Sequence, residues 1–156
     1  MGDYGNNELN LVSSPTDPLT RQDTFAYDPG GNLTKWVDRR GKVTKYSYDA
    51  PNDLSFIGYG YTGGGEPACN STFTSSTSYT YDGAGRLGQV VDSRSGQITR
   101  TYDDLDRLTN ETTPQGSIGY TYDDANRRST MTVTGQPQVS YTLLPGGWPS
   151  GRRRRS

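Results

Sequence analysis

Residues Tyr79 to Gly96 read YTYDGAGRLGQVVDSRSG, and the chain returns to the opening of that stretch repeatedly. The pair Tyr-Asp occurs at Tyr27-Asp28, Tyr48-Asp49, Tyr81-Asp82, Tyr102-Asp103 and Tyr122-Asp123. Successive tyrosines stand 21, 33, 21 and 20 residues apart. One uncommon dipeptide at a nearly fixed step marks a tandem repeat, in which each unit buries its surface against its neighbours.

Aligned on that pair, the copies are FAYDPGGNL from Phe25, YSYDAPNDL from Tyr46, YTYDGAGRL from Tyr79, TYDDLDRL from Thr101 and YTYDDANRR from Tyr120. The rule is aromatic-x-Tyr-Asp, two variable residues, Gly or Asn, a polar or basic residue, and Leu. The motif residues are thus Tyr27, Asp28 and Leu33; Tyr48, Asp49 and Leu54; Tyr81, Asp82, Gly85, Arg86 and Leu87; Tyr102, Asp103, Arg107 and Leu108; and Tyr122 with Asp123. The run into each pair alternates, as in Thr44, Tyr46, Tyr48 and Ile118, Tyr120, Tyr122, which predicts a strand with one buried face. An aspartate that can bond turn N–H groups, followed three residues on by a residue tolerant of the left-handed conformation, predicts a tight turn. The return strand is expected to alternate again from the leucine, with Leu87, Gln89 and Val91, or Leu33, Lys35 and Val37, on one face. A second turn follows, as at Asp38-Arg39-Arg40-Gly41, Asp92 to Gly96 and Pro114-Gln115-Gly116. The fold class expected is all-β: tandem hairpins forming a curved antiparallel sheet strip.

Composition narrows function mostly by exclusion. Leu, Ile, Val and Phe number 23 of 156 residues, a thin supply for a conventional core. A formal net charge of −1 and twelve tyrosines placed mainly at the repeat step argue for order nonetheless. Histidine is absent, which removes Ser-His-Asp and Cys-His sites, His general bases and His metal clusters. The lone Cys69 allows neither an internal disulfide nor a Cys-rich zinc site. No run of about 20 apolar residues offers a membrane helix. Setting aside Arg152 to Arg155 leaves the body at −5, contrary to a nucleic-acid footprint. The first residues, MGDYGNNELN, lack the basic start and apolar stretch of a secretory signal.

Four features invite a functional reading. The turn aspartates could ligate calcium or work as acid and base, but each turn carries only one or two acids in a solvated setting, so turn capping is favoured. The tyrosine ladder could stack on sugar rings, with packing along the sheet as the simpler reading. Gly63-Gly64-Gly65 and Gly83-Ala84-Gly85 lack the strand-to-helix context of a phosphate loop. The triplets at Asn32, Asn70 and Asn110 match the glycosylation sequon, a common chance match in such sequences.

The aromatic-x-Tyr-Asp-x-x-Gly-Arg-Leu pattern resembles the YD-repeat, or RHS-repeat, family, and Tyr79 to Leu87 matches it without a gap. The resemblance runs from about Leu9 to Leu144. It implies β-strips that spiral into a hollow shell, enclosing a toxin domain in bacterial members and displayed on the cell surface in animal relatives. Five or so hairpins are too few to close a shell. The expectation is therefore a non-enzymatic wall segment of a secreted or cell-surface protein, with no cofactor and no metal. Its partners would be the remaining repeats of a larger parent, with an enclosed toxin domain or glycans as further candidates. The organisation expected is a degenerate repeat over 1–24, an array over 25–144 interrupted by an insertion at 57–78, and a disordered basic tail over 145–156.

Overall fold

A computed structural model describes strand positions 4–6 and 12–15 together with residues 21–61 and 72–142. Thirteen strands follow one another: β1 Tyr4–Asn6, β2 Val12–Pro15, β3 Thr24–Tyr27, β4 Leu33–Val37, β5 Val43–Tyr48, β6 Leu54–Tyr61, β7 Ser75–Tyr81, β8 Leu87–Asp92, β9 Gly96–Tyr102, β10 Leu108–Thr113, β11 Gly116–Tyr122, β12 Arg128–Val133 and β13 Val139–Ser140. The strands β3 to β13 form one open antiparallel sheet in strict sequence order, and β1 pairs with β2 in a separate hairpin. No helix occurs among the described residues. The worn-repeat residues 7–11 and 16–18, the stretch 62–71 with Cys69, and everything from Leu143 onward lie outside the described residues.

The segment 57–78, expected as a long loop or decorated hairpin tip, supplies strand at both ends. Ile57 to Tyr61 complete β6, and Ser75 to Ser78 open β7. Phe73 folds back over the sheet, its ring 5.7 Å from that of Phe56 and 5.8 Å from that of Tyr61. A Cβ on Gly58 would lie 2.7 Å from the Phe73 ring, so the strand admits that aromatic only because residue 58 has no side chain. Glycine is the packing partner here.

Strand alternation departs from the sequence reading at one recurring place. Tyr81 faces Leu87 while Thr80 faces Gln89, so Gly88 has no partner and the register shifts. The same shift leaves out Thr34, Ser55, Thr109 and Ser129, each one residue after the position of the motif leucine. Every copy therefore carries a β-bulge beside its turn. An extra residue reverses the parity of the return strand. Leu87 shares a face with Val90, not with Gln89 and Val91, and Leu33 shares one with Trp36, not with Lys35 and Val37. The expected alternation across each leucine is corrected accordingly.

With the bulges counted, the sheet has two unlike faces. One carries Phe25, Trp36, the motif tyrosines and leucines, Tyr46, Ile57, Tyr79, Val90, Ile98, Ile118 and Tyr120. The other is rich in Ser and Thr, including Ser76, Ser78, Thr99, Thr101, Thr121 and Thr130. The expectation of one buried face holds only halfway. Among the described residues no apolar side chain is fully buried, as expected where strands form one open layer. Its stability rests on the ladder and on contacts between neighbours along one face.

Candidate functional site: a repeated junction between hairpins

Each Tyr-Asp turn is built alike. The aspartate carbonyl accepts from the N–H three residues on, and its own N–H donates to the carbonyl four residues on. These distances are 3.0 and 2.9 Å at Asp28, 2.9 and 2.9 Å at Asp82, and 3.0 and 2.8 Å at Asp123. The residue at the third position has positive φ in every copy: Gly31 87°, Asn52 77°, Gly85 77°, Asp106 61° and Asn126 62°. A turn closed by one left-handed residue is a common three-residue hairpin connection, and it suits Gly, Asn and Asp best.

The aspartate side chain secures the turn from inside. Its Oδ1 accepts from the backbone N–H four residues on at Asn32, Asp53, Arg86, Arg107 and Arg127, within 2.8–3.0 Å. In the last three copies Oδ2 also accepts from the arginine Nε, at 2.7, 2.7 and 2.8 Å. These contacts account for the acidity of the carboxylates. The backbone N–H of Arg86, then its guanidinium, hold Asp82 below the usual carboxylate range. The side chain and backbone of Arg127 do the same for Asp123. At Asp103 burial pulls the other way, and the bonds from Arg107 prevail.

The same arginines reach into the next repeat. Arg86 Nη1 donates to the Asp103 carbonyl at 3.0 Å and to Asp106 Oδ1 at 2.7 Å. Arg107 Nη1 donates to Asn126 Oδ1 at 2.7 Å. In the first copy Asn32 substitutes for arginine, binding Asp28 and reaching Asn52 Oδ1 at 2.6 Å. Each guanidinium also lies over the next motif tyrosine, Arg86 at 4.9 Å from Tyr102 and Arg107 at 4.6 Å from Tyr122. The second copy breaks this pattern, since Asp53 has no donor to offer and Gly85 no side chain to accept it. Its junction is the one at which Phe73 overlies Phe56 and Gly58.

A second bond ties the repeats more uniformly. From the second copy to the fifth, the phenol of the motif tyrosine donates to the backbone carbonyl of the preceding copy's leucine. Tyr48 reaches Leu33 at 3.0 Å, Tyr81 reaches Leu54 at 2.9 Å, Tyr102 reaches Leu87 at 2.9 Å and Tyr122 reaches Leu108 at 2.7 Å. That carbonyl sits beside the bulge, where the ladder is interrupted, so the phenol supplies a donor that a regular strand would have provided. Burial, then the charge of nearby aspartates, pushes the Tyr48 and Tyr81 phenols above their ordinary pKa and keeps them protonated donors. In the last copy Arg128 stands for leucine, and Tyr141 points instead at Met131 Sδ, 3.9 Å away.

Sequence reasoning found the tyrosine, aspartate and leucine but missed the bulge and the interrepeat bond. The Thr, Ser or Gly directly after each leucine position was the available signal. Thr34, Ser55 and Thr109 donate their hydroxyls across the bulge to the carbonyls of Ala26, Ser47 and Thr101, each at 3.1 Å. Replacing Tyr102 by Phe removes one phenol and leaves the Leu87 carbonyl short of a donor. The expected loss is about 1 kcal/mol, read as a lower urea midpoint at unchanged m-value.

The array offers little to a catalytic or metal reading. Among the described residues no three acids, histidines or cysteines converge as a metal site. The turn carboxylates are committed to backbone N–H groups and guanidinium groups. Nor does any helix among the described residues have the length and hydropathy to cross a membrane.

The family model described as RHS Repeat matches residues 27–65, 81–118 and 102–137. Curated protein sequences yield no match. Among solved structures, the fold resembles the crystal structure of TcdB2-TccC3 without its hypervariable C-terminal region, with TM-score 0.71 and 13% identity over 94% of this chain. The TcdB2-TccC3-Cdc42 crystal structure gives TM-score 0.70 at 14% identity over 92% of the chain. The Photorhabdus luminescens Tc holotoxin pore gives 0.51 at 15% over 91%. The chain spans only 9%, 9% and 10% of those proteins, respectively. At such identities the likeness concerns the fold.

Proposed function

Since the chain belongs to the RHS repeat family, we propose that it is a length of wall: a non-enzymatic strip within a larger secreted or cell-surface β-shell. The observation that carries this reading is the chain of interrepeat bonds, from the second copy to the fifth, joining the motif tyrosine to the leucine carbonyl before it. Such bonds serve to add hairpin to hairpin, and they repeat without converging on a reaction centre. The proposed division is a leading partial repeat over 1–24, the array over 25–144 and a basic tail after it. Two unlike faces suit a wall that separates two compartments. The solved neighbours named for toxin complexes favour one refinement, a parent whose shell encloses a toxin domain.

Sugar stacking on the tyrosines fits the geometry poorly. Guanidinium groups cover Tyr102 and Tyr122, and Arg128 lies 5.4 Å from the Tyr120 ring centre and 5.0 Å from that of Tyr141. The wall reading is tested on the isolated chain. An open sheet without its neighbours has unpaired backbone at its edges and a thin apolar supply. Light scattering is expected to show concentration-dependent association, and calorimetry a broad, low transition. A stable monomer with a sharp thermal transition would refute it.

A further inference from the structure

At the rim opposite the Tyr-Asp turns, hairpin tips overlie one another. A Cβ on Gly96 would meet Pro114 Cγ at 2.8 Å, and one on Gly116 would meet Thr134 at 3.4 Å, whereas one on Gly41 would meet no described atom within 4 Å beyond its chain neighbours. Beside Gly41 a cleft of about 290 Å³ opens, lined by Trp36, Asp38, Lys42, Thr44, Tyr59 and Arg94 among others. Its floor holds donors without acceptors. The Trp36 Nε1 is buried and has no hydrogen-bond partner. Thr44, its cross-strand partner, is only 9% exposed, and no hydrogen bond of its hydroxyl occurs among the described residues. Buried polar groups normally find partners; Trp36 Nε1 has none, and the adjacent Thr44 hydroxyl is left able to donate.

The charges at the mouth say which acceptor. Lys42 and Arg94 contribute two cations. The one carboxylate, Asp38, is already engaged, its Oδ1 accepting from the backbone N–H groups of Arg40 and Lys42 at 2.8 and 2.9 Å. The Trp36 ring lies parallel to Phe25, 7° between planes and 6.3 Å between centres, so that side of the indole faces another aromatic instead of the cleft. Two cations against one engaged carboxylate favour a small anion held by hydrogen bonds.

We propose that this cleft binds a carboxylate-bearing ligand of amino-acid size, its oxygens accepting from Thr44, Lys42 and Arg94 beside the Trp36 indole. The site would exist whether or not the strip belongs to a shell. Titration of the whole chain, carrying Trp148→Phe so that Trp36 alone reports, would use N-acetylglutamate methylamide with N-acetylglutamine methylamide as its neutral twin. Free glucuronate would distinguish an acidic sugar as the source of the carboxylate. The glutamate compound is expected to shift Trp36 emission saturably, and the glutamine compound to bind at least about tenfold more weakly, since a charge-assisted bond is the stronger kind. Lys42→Gln and Arg94→Gln should each weaken binding on the order of tenfold, whereas Lys45→Gln, on the opposite face, should not. Tighter binding of glucuronate would keep the carboxylate site and assign it to acidic sugars. Equal response to both amides, insensitivity to Lys42→Gln and Arg94→Gln with unchanged circular dichroism, or no saturable shift in a folded protein would each overturn the proposal.

Discussion

Deleting Thr109 is expected to cost about 2 kcal/mol, whereas replacing it with glycine should cost about 1 kcal/mol. Thr109 is the unpaired residue of the fourth bulge, lying between the Leu108–Tyr102 and Asn110–Thr101 pairs. Its side chain contributes a hydroxyl bond to the Thr101 carbonyl at 3.1 Å and an exposed contact with the Thr101 hydroxyl at 3.0 Å. Losing these costs about one net hydrogen bond, and Gly88 fills the equivalent position in the third copy. Losing the residue itself is different. Asn110 then follows Leu108 directly and still faces Thr101, and Glu111 still faces Arg100, so the register of β10 survives the deletion. What goes is the bulge, and with it the interruption that leaves the Leu108 carbonyl to the Tyr122 phenol at 2.7 Å. The deletion therefore costs that interrepeat bond in addition to the hydroxyl bonds, about one net hydrogen bond more than glycine does. Urea unfolding followed by far-UV circular dichroism separates the two variants. A deletion within about 1 kcal/mol of the parent would show that the bulge is dispensable.

That contrast also explains what could be read before any coordinates. Tyr81, Asp82, Gly85 and Leu87 announce a hairpin because each obeys a local rule: alternation, aspartate capping, left-handed tolerance, return strand. Repetition carries the rest, since five hairpins of one kind in series have few arrangements other than a strip. The bulge escaped because a hydroxyl residue after leucine satisfies an alternating pattern as readily as it breaks one. Parity beyond it is set by hydrogen bonding across strands, which a single strand does not encode. The interrepeat bonds escaped for a related reason. Tyr102 and Leu87 are 15 residues apart, and their bond uses a backbone carbonyl, which is present at every position and so leaves no mark in composition. Phe73 and Gly58 were hidden by the irregular stretch between them, where no repeat step guided the alignment. The cleft beside Trp36 depends on which tips overlie which, the least local property of all.

The second large effect is expected in acid. Stability should stay level between about pH 5 and pH 8, because the chain contains no histidine to titrate there. Below that range it should fall steeply. Asp28, Asp38, Asp82, Asp103 and Asp123 have folded pKa values under the ordinary 3.8, held there by hydrogen bonds that only the ionised form receives fully. Asp92 is lowered furthest, to about 2, by the backbone N–H groups of Ser95 and Arg94 and then by the Thr77 hydroxyl. A carboxylate depressed by folding contributes stability that is complete above its unfolded pKa and is lost as pH falls through its folded one. The urea midpoint should therefore decline from about pH 4 downward, and six turns should weaken over the same interval. Asp92→Asn isolates one of them. Its amide oxygen can still accept from the turn N–H groups, so the turn survives while the ionisation is removed. The variant is expected to be less stable than the parent at pH 6 and to approach it near pH 2, where the parent's own Asp92 is half protonated. A constant difference between the two proteins across that range would show that the charge of Asp92 does not hold its turn. At the alkaline end the sign reverses. Tyr48 and Tyr81 ionise later in the folded chain than the ordinary 10.0 of a free phenol, so unfolding releases their protons more readily and stability should fall again above about pH 10. Two opposite limits thus have one origin, junctions that need the aspartates charged and the tyrosines neutral.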